Sequence, residues 1–168
     1  MQSVICIRRS ALKRRNGFSL IELVIAMGIL AVMSTIAVFS WQRYVTNTNL
    51  RTAARELEAD IFLIKERAVA ERIHYRITLN VFANSYTIEQ GGAATGDPYT
   101  VLQTKSPASL GSGNWGMGSD FPGGQITFQS RGTLATGTGS VTLINSRNSN
   151  ARITVNITGR THVKFTMY

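Results

Sequence analysis

The sequence predicts an α+β protein: a long N-terminal helix followed by a small antiparallel β-sheet domain. Three observations lead there. Phe18 to Phe39 is a 22-residue apolar run whose only charge is Glu22. Beyond it, apolar residues recur at helical spacing to about Arg72. From His74 onward the period drops to two, and short alternating segments are separated by turn residues.

The apolar run comes first. As a helix it measures roughly 33 Å, enough to cross the hydrocarbon core of a bilayer. Arg8, Arg9, Lys13, Arg14 and Arg15 precede it, which the positive-inside rule assigns to the cytoplasmic side. An ionised carboxylate within such a span costs about 2.5–3.5 kcal/mol, so Glu22 reads as functional and in need of a partner. The run itself contains no Lys, Arg or His to serve. A secretory signal peptide would have an apolar core of about 7–15 residues and a small-residue cleavage site, which this run does not match. A plain single-pass anchor explains the length and leaves Glu22 unexplained.

The second element is amphipathic and spans residues 40–73. Leu50, Ala54, Leu57, Ile61, Ile64 and Ala68 form one apolar stripe, while Arg51, Arg55, Glu58, Lys65 and Glu66 lie off it. The stripe is too short and too alanine-rich for a coiled coil, so it should cover a sheet. No proline occurs before Pro98, so the two helical segments read as one.

Residues 74–168 read as a β-rich domain. Tyr75, Ile77, Leu79 and Val81 alternate with polar residues, Ala83-Asn84-Ser85 turns, and Tyr86–Glu89 returns. A Gly-rich loop follows at 91–124, with nine of the 15 glycines and one short strand at Tyr99–Gln103. Strands resume at Gln125–Phe128 and Val141–Ile144. The final hairpin pairs Arg152–Ile157 with His162–Phe165 around Thr158-Gly159-Arg160, where Gly159 suits a positive φ. About six strands are expected.

Composition excludes several classes. Without the leader, thirteen basic side chains face nine acidic ones, and none of the acids lies beyond Phe121. That leaves a mildly positive C-terminal lobe able to attract a polyanion. The single cysteine, Cys6, is in the leader, so the remainder has neither thiol nor disulfide. His74 and His162 stand alone and no metal-ligand spacing occurs. Gly111-Ser112-Gly113-Asn114-Trp115-Gly116 matches a dinucleotide fingerprint in letters, but Met117-Gly118-Ser119-Asp120-Phe121-Pro122 follows it, which cannot begin a phosphate-binding helix. No nucleophile–base–acid set emerges, so the chain is not expected to be an enzyme and no cofactor or metal is expected.

The join Gly17-Phe18-Ser19-Leu20-Ile21-Glu22-Leu23, behind a basic leader, resembles the class III leader junction of type IV prepilins and type II secretion pseudopilins. The resemblance implies a pilin-like fold and removal of residues 1–17 by a prepilin peptidase. The cut falls between Gly17 and Phe18, with N-methylation at Phe18. It also implies that Glu22 meets the amino terminus of a neighbouring subunit during assembly, and two opposite charges in apolar surroundings would then neutralise each other. Other pilin subunits and an inner-membrane assembly platform are the implied partners. The implied location is the bacterial inner membrane, single-pass, with the N-terminus cytoplasmic and the C-terminal domain periplasmic until incorporation into a filament. Many relatives carry a proline where Phe39 stands here.

A narrower likeness runs through Leu50–Leu57, Asp60, Ala68, Tyr75–Val81, Ile126-Thr127-Phe128 with Arg131-Gly132, and Ile153–Arg160. These segments are similar to the GspH/FimT group of minor pilins and pseudopilins. One branch of that group helps start a secretion pseudopilus. In the other, some members bind DNA through a Gly-Arg-x-Arg motif in the last hairpin. The corresponding residues here are Gly159-Arg160-Thr161-His162, with a histidine that is mostly neutral at pH 7 in place of the second arginine. DNA contacts would then be Arg160, Arg152 and Lys164; the competing reading makes Arg160 a solvated turn residue. A major pilin forming the shaft is a further alternative.

Overall fold

The computed structural model describes residues 17–94, 96–106 and 116–168. The leader ahead of Gly17, with Cys6 and its basic residues, lies outside the described residues, as does 111–115 of the glycine fingerprint. The chain divides into two units, one ending at Ser40 and the other running from Trp41 to Tyr168. Helix α1 is continuous from Leu20 to Glu71, as the lack of proline predicts. It starts where the amides of Glu22 and Leu23 both donate to the Ser19 carbonyl, at 3.1 and 3.2 Å. It stops at Arg72, whose φ of 57° is the left-handed conformation that ends many helices.

Among the described residues eight strands follow: β1 (Tyr75–Asn80), β2 (Ser85–Gln90), β3 (Thr100–Lys105), β4 (Gly116–Ser119), β5 (Gln125–Phe128), β6 (Gly139–Ile144), β7 (Asn150–Val155) and β8 (Thr161–Thr166). They form two four-stranded antiparallel sheets, ordered β3-β2-β1-β5 and β4-β6-β7-β8. The seven segments read as strands are all present, Gln125–Phe128 with the same ends and the others with shifted ones, and the antiparallel β domain is built as two sheets.

The core vindicates the stripe. Leu50, Ala54, Leu57, Ile61, Ile64 and Ala68 are all completely buried, joined by Ala53. They share one cluster with Tyr75, Ile77, Tyr86, Ile126 and Phe128 from the first sheet and Val141, Leu143, Ile153 and Val155 from the second. Each fully buried Leu, Ile, Val or Phe contributes about 1.5–3 kcal/mol. Leu57→Ala, at the middle of the stripe, would therefore cost about 2–5 kcal/mol.

Three expectations need correction. Val81 is not in the first strand: β1 ends at Asn80, and Val81 and Phe82 sit exposed in a four-residue turn that Asn80 Oδ1 braces by accepting from the Ala83 amide at 3.0 Å. The short strand in the Gly-rich segment runs Thr100–Lys105, and its register against β2 slips at Ile88/Glu89. The remainder of that segment is not all loop. Gly116-Met117-Gly118-Ser119 forms edge strand β4 by pairing with β6, a tertiary contact that overrides poor strand propensity.

Candidate functional site

At the N-terminal end of α1, Glu22 occupies the first helical turn, where the positive end of the helix dipole favours an anion. Among the described residues its carboxylate has no hydrogen bond or ion pair. Around it the apolar residues are bare: Phe18 is 83% exposed and Leu20 80%, and every large apolar side chain from Ile21 to Met33 is more than half exposed. The helix is long and apolar enough to cross a membrane. Soluble monomers rarely expose apolar surface on this scale, and where it occurs it marks contact with lipid or another protein.

Two buried carboxylates in the second unit, Asp60 and Glu89, each organise a polar cluster on the first sheet. Asp60, on the buried side of α1, accepts from the Tyr86 hydroxyl at 2.6 Å and from Lys105 Nζ at 2.8 Å through both oxygens. One carboxylate thus ties α1 to β2 and β3. Burial first, then the hydrogen bond to Asp60, pushes the Tyr86 hydroxyl far above its ordinary range. On the opposite face of the first sheet, Arg76 and Glu89 pair across β1 and β2 and make a salt bridge, with Arg76 Nε 2.7 Å from Oε2. The guanidinium also lies 3.9 Å from the centre of the Tyr99 ring, within cation–π range. Burial raises the Glu89 carboxyl, but hydrogen bonds and the Arg76 charge outweigh that and hold it below its ordinary value. Sequence reading singled out Asp60 and passed over its partner Lys105, because a contact 45 residues away leaves no local signal.

The three candidate DNA contacts are close together but not equivalent. Arg152 and Lys164 stand directly opposite each other on β7 and β8, on the solvent face of the second sheet. His162 sits two residues along on that face, opposite Thr154. Arg160 is exposed at the end of the connecting turn. There Asn156 Oδ1 accepts from the amides of Thr158 at 3.1 Å and Arg160 at 2.8 Å. Arg152 is not free: it donates to Asp120 Oδ2 at 2.6 Å and to Ser140 Oγ at 2.9 Å. Hydrogen bonds from Ser140 and Arg152 in turn lower the Asp120 carboxyl below its ordinary value. Counting acids only from Phe121 onward missed this neutralising neighbour by one residue.

Gly159 has the expected positive φ, 70°, and a second constraint besides. A Cβ there would lie 2.9 Å from the Gly132 carbonyl oxygen and 3.0 Å from Lys65 Cδ of α1. Gly132 in turn, at φ 77°, would place a Cβ 2.8 Å from Val69 of α1. The Gly-Arg turn is pressed onto the helix through two glycines. Gly116 of the glycine fingerprint begins β4 rather than a helix, so no phosphate-binding helix start follows it. Among the described residues no three His, Cys, Asp or Glu side chains group as metal ligands.

Comparison with known proteins is specific at both ends. Residues 12–38 match the prokaryotic N-terminal methylation motif, and residues 53–159 match the type II transport protein GspH. No curated protein matches the chain. Among solved structures, it resembles the type IV minor pilin FimU of Pseudomonas aeruginosa at 16% identity and TM-score 0.57, covering 72% of this chain and 92% of that one. It resembles the minor pseudopilin EpsH from the type 2 secretion system of Vibrio cholerae at 13% identity and the same TM-score, covering 70% and 97%. The chain belongs to the GspH family: it is a minor pseudopilin or type IV minor pilin, made as a prepilin, and a structural subunit rather than an enzyme.

Proposed function

We propose that the chain is cut between Gly17 and Phe18, methylated at the new Phe18 amino terminus, and drawn into a filament through Glu22. The observation that supports this most is the bare helix: a lone carboxylate one turn beyond Phe18, unpartnered among the described residues, within apolar surface that only lipid or neighbouring helices can cover. Before assembly the run Phe18–Phe39 lies in the inner membrane, with the leader cytoplasmic and the sheets periplasmic. During assembly a neighbour's amino terminus neutralises Glu22 and sets the register. Other pilin subunits, the prepilin peptidase and an assembly platform are the partners of this reading.

The test is Glu22→Ala in the full chain. Cleavage at Gly17–Phe18, read by the mass of the mature N-terminal peptide, should persist, while co-purification with assembled filaments should fall severalfold. Undiminished incorporation would remove Glu22 from assembly. The DNA-uptake reading, through Arg160, Arg152 and Lys164, is the weaker one because Asp120 already neutralises Arg152.

A further inference from the structure

Trp41 and Tyr44 sit where α1 leaves its apolar run, and they are 69% and 66% exposed. They stack obliquely on one helix face, with ring centres 6.3 Å apart. Beside them a cavity of about 330 Å³ is lined by Trp41, Gln42, Val45, Thr46, Ser146 and Arg147. Arg147 is its only charged residue, is half-buried, and has no carboxylate partner among the described residues.

The β6–β7 turn that presents Arg147 is rigidly built. Buried Asn145 accepts from the amides of Arg147 and Ser149, both at 3.0 Å, and its own side-chain amide donates to Asn47 of α1 at 3.1 Å. A second cavity of about 220 Å³ includes Arg43, Tyr44 and Arg51. No acid occurs in the sequence between Glu22 and Glu56. Exposed aromatic rings at the end of a membrane-length run match the membrane–water interface, where aromatic belts form on both sides of a bilayer, and arginines without a carboxylate partner there are complementary in charge to an anionic headgroup.

We propose that Trp41 and Arg147 form a seat for an anionic phospholipid headgroup. The guanidinium and the Gln42 and Ser146 side chains would face the phosphate, and Trp41 and Val45 the glycerol and upper acyl carbons. This goes beyond the filament reading and rests on the apolar run lying in a bilayer. A subunit held this way would be ordered at the membrane surface before it is extracted.

The full chain, carrying Trp115→Phe so that Trp41 is the sole tryptophan, is reconstituted in phosphatidylcholine nanodiscs. They contain about one part in four of phosphatidylglycerol, with bromine on the acyl chains of either lipid. Trp41 quenching by brominated phosphatidylglycerol should exceed that by an equal amount of brominated phosphatidylcholine, reflecting roughly fivefold local enrichment for an arginine at the surface. Arg147→Gln should abolish most of the excess, and the exposed, distant Arg131→Gln should leave it intact. Equal quenching by the two lipids would overturn the proposal, as would an excess indifferent to Arg147→Gln. No quenching by either lipid would overturn the bilayer placement itself.

Discussion

The Tyr86 hydroxyl donates a 2.6 Å hydrogen bond to Asp60, and Lys105 holds the same carboxylate from the neighbouring strand. This buried triad anchors the first sheet to α1. Asp60→Ala would strand the Tyr86 hydroxyl and leave Lys105 unpaired, at a cost of about 2–4 kcal/mol. Tyr86→Phe removes one hydrogen bond and keeps the ion pair, so it should cost about 1–2 kcal/mol. Urea midpoints of the two variants against the parent would show this order; the reverse order would refute it.

Alkali should loosen the same contact. The folded state favours neutral Tyr86, so its folded pKa lies above the unfolded value of 10.0. That stability is fully present below pH 10.0 and drains as pH rises beyond it. Tyr75 adds to the loss, since burial and its 2.8 Å bond to Glu71 push it up to about 12. A plot of urea midpoint against pH should fall over this range, and more shallowly in Tyr86→Phe.

Acid acts on the Arg76–Glu89 pair. The folded Glu89 pKa is depressed below 4.5, so its contribution is complete above that pH and is lost as pH falls toward the lower folded value. Arg76→Met should shift the acid-unfolding midpoint upward, read by circular dichroism. Arg76→Lys should restore part of the difference, lacking the guanidinium fork and the stacking on Tyr99.

At the last turn the two residues of the Gly-Arg pair should behave oppositely. Gly159→Ala combines a left-handed φ with a backbone clash and should cost about 1–3 kcal/mol. Arg160→Ala, fully on the surface, should stay within about 0.5 kcal/mol. Thermal melts of both variants decide it.

Full-length protein in detergent, titrated with labelled duplex DNA at two salt concentrations, should show no more than non-specific affinity, about 10⁻⁴ to 10⁻⁶ M. Arg160→Ala should change it little. Tight, salt-steep binding lost in that variant would instead move the protein to DNA handling.

The sequence showed the helix and its buried face residue by residue, because a single apolar stripe from Leu50 to Ala68 records packing directly. The N-terminal methylation motif at residues 12–38 was equally readable, since a charge inside an apolar run has no ordinary explanation. Strand β4 was invisible because glycine and serine carry no strand preference, and only β6 makes them a strand. The neutralisation of Arg152 was also hidden. Asp120 is 32 residues away in sequence, and only the sheet brings the two together.

The contact between Gly132 and Gly159 sets what each residue of the last turn answers to in this chain. The glycine of Gly159-Arg160 is required by the floor on which the turn rests, whatever the turn touches. It therefore carries information about architecture, and only the side chain after it carries information about a ligand. Position 160 can gain or lose a cation without disturbing the fold. Two adjacent residues thus answer to different constraints: one to the packing of the turn on α1, the other to solvent alone.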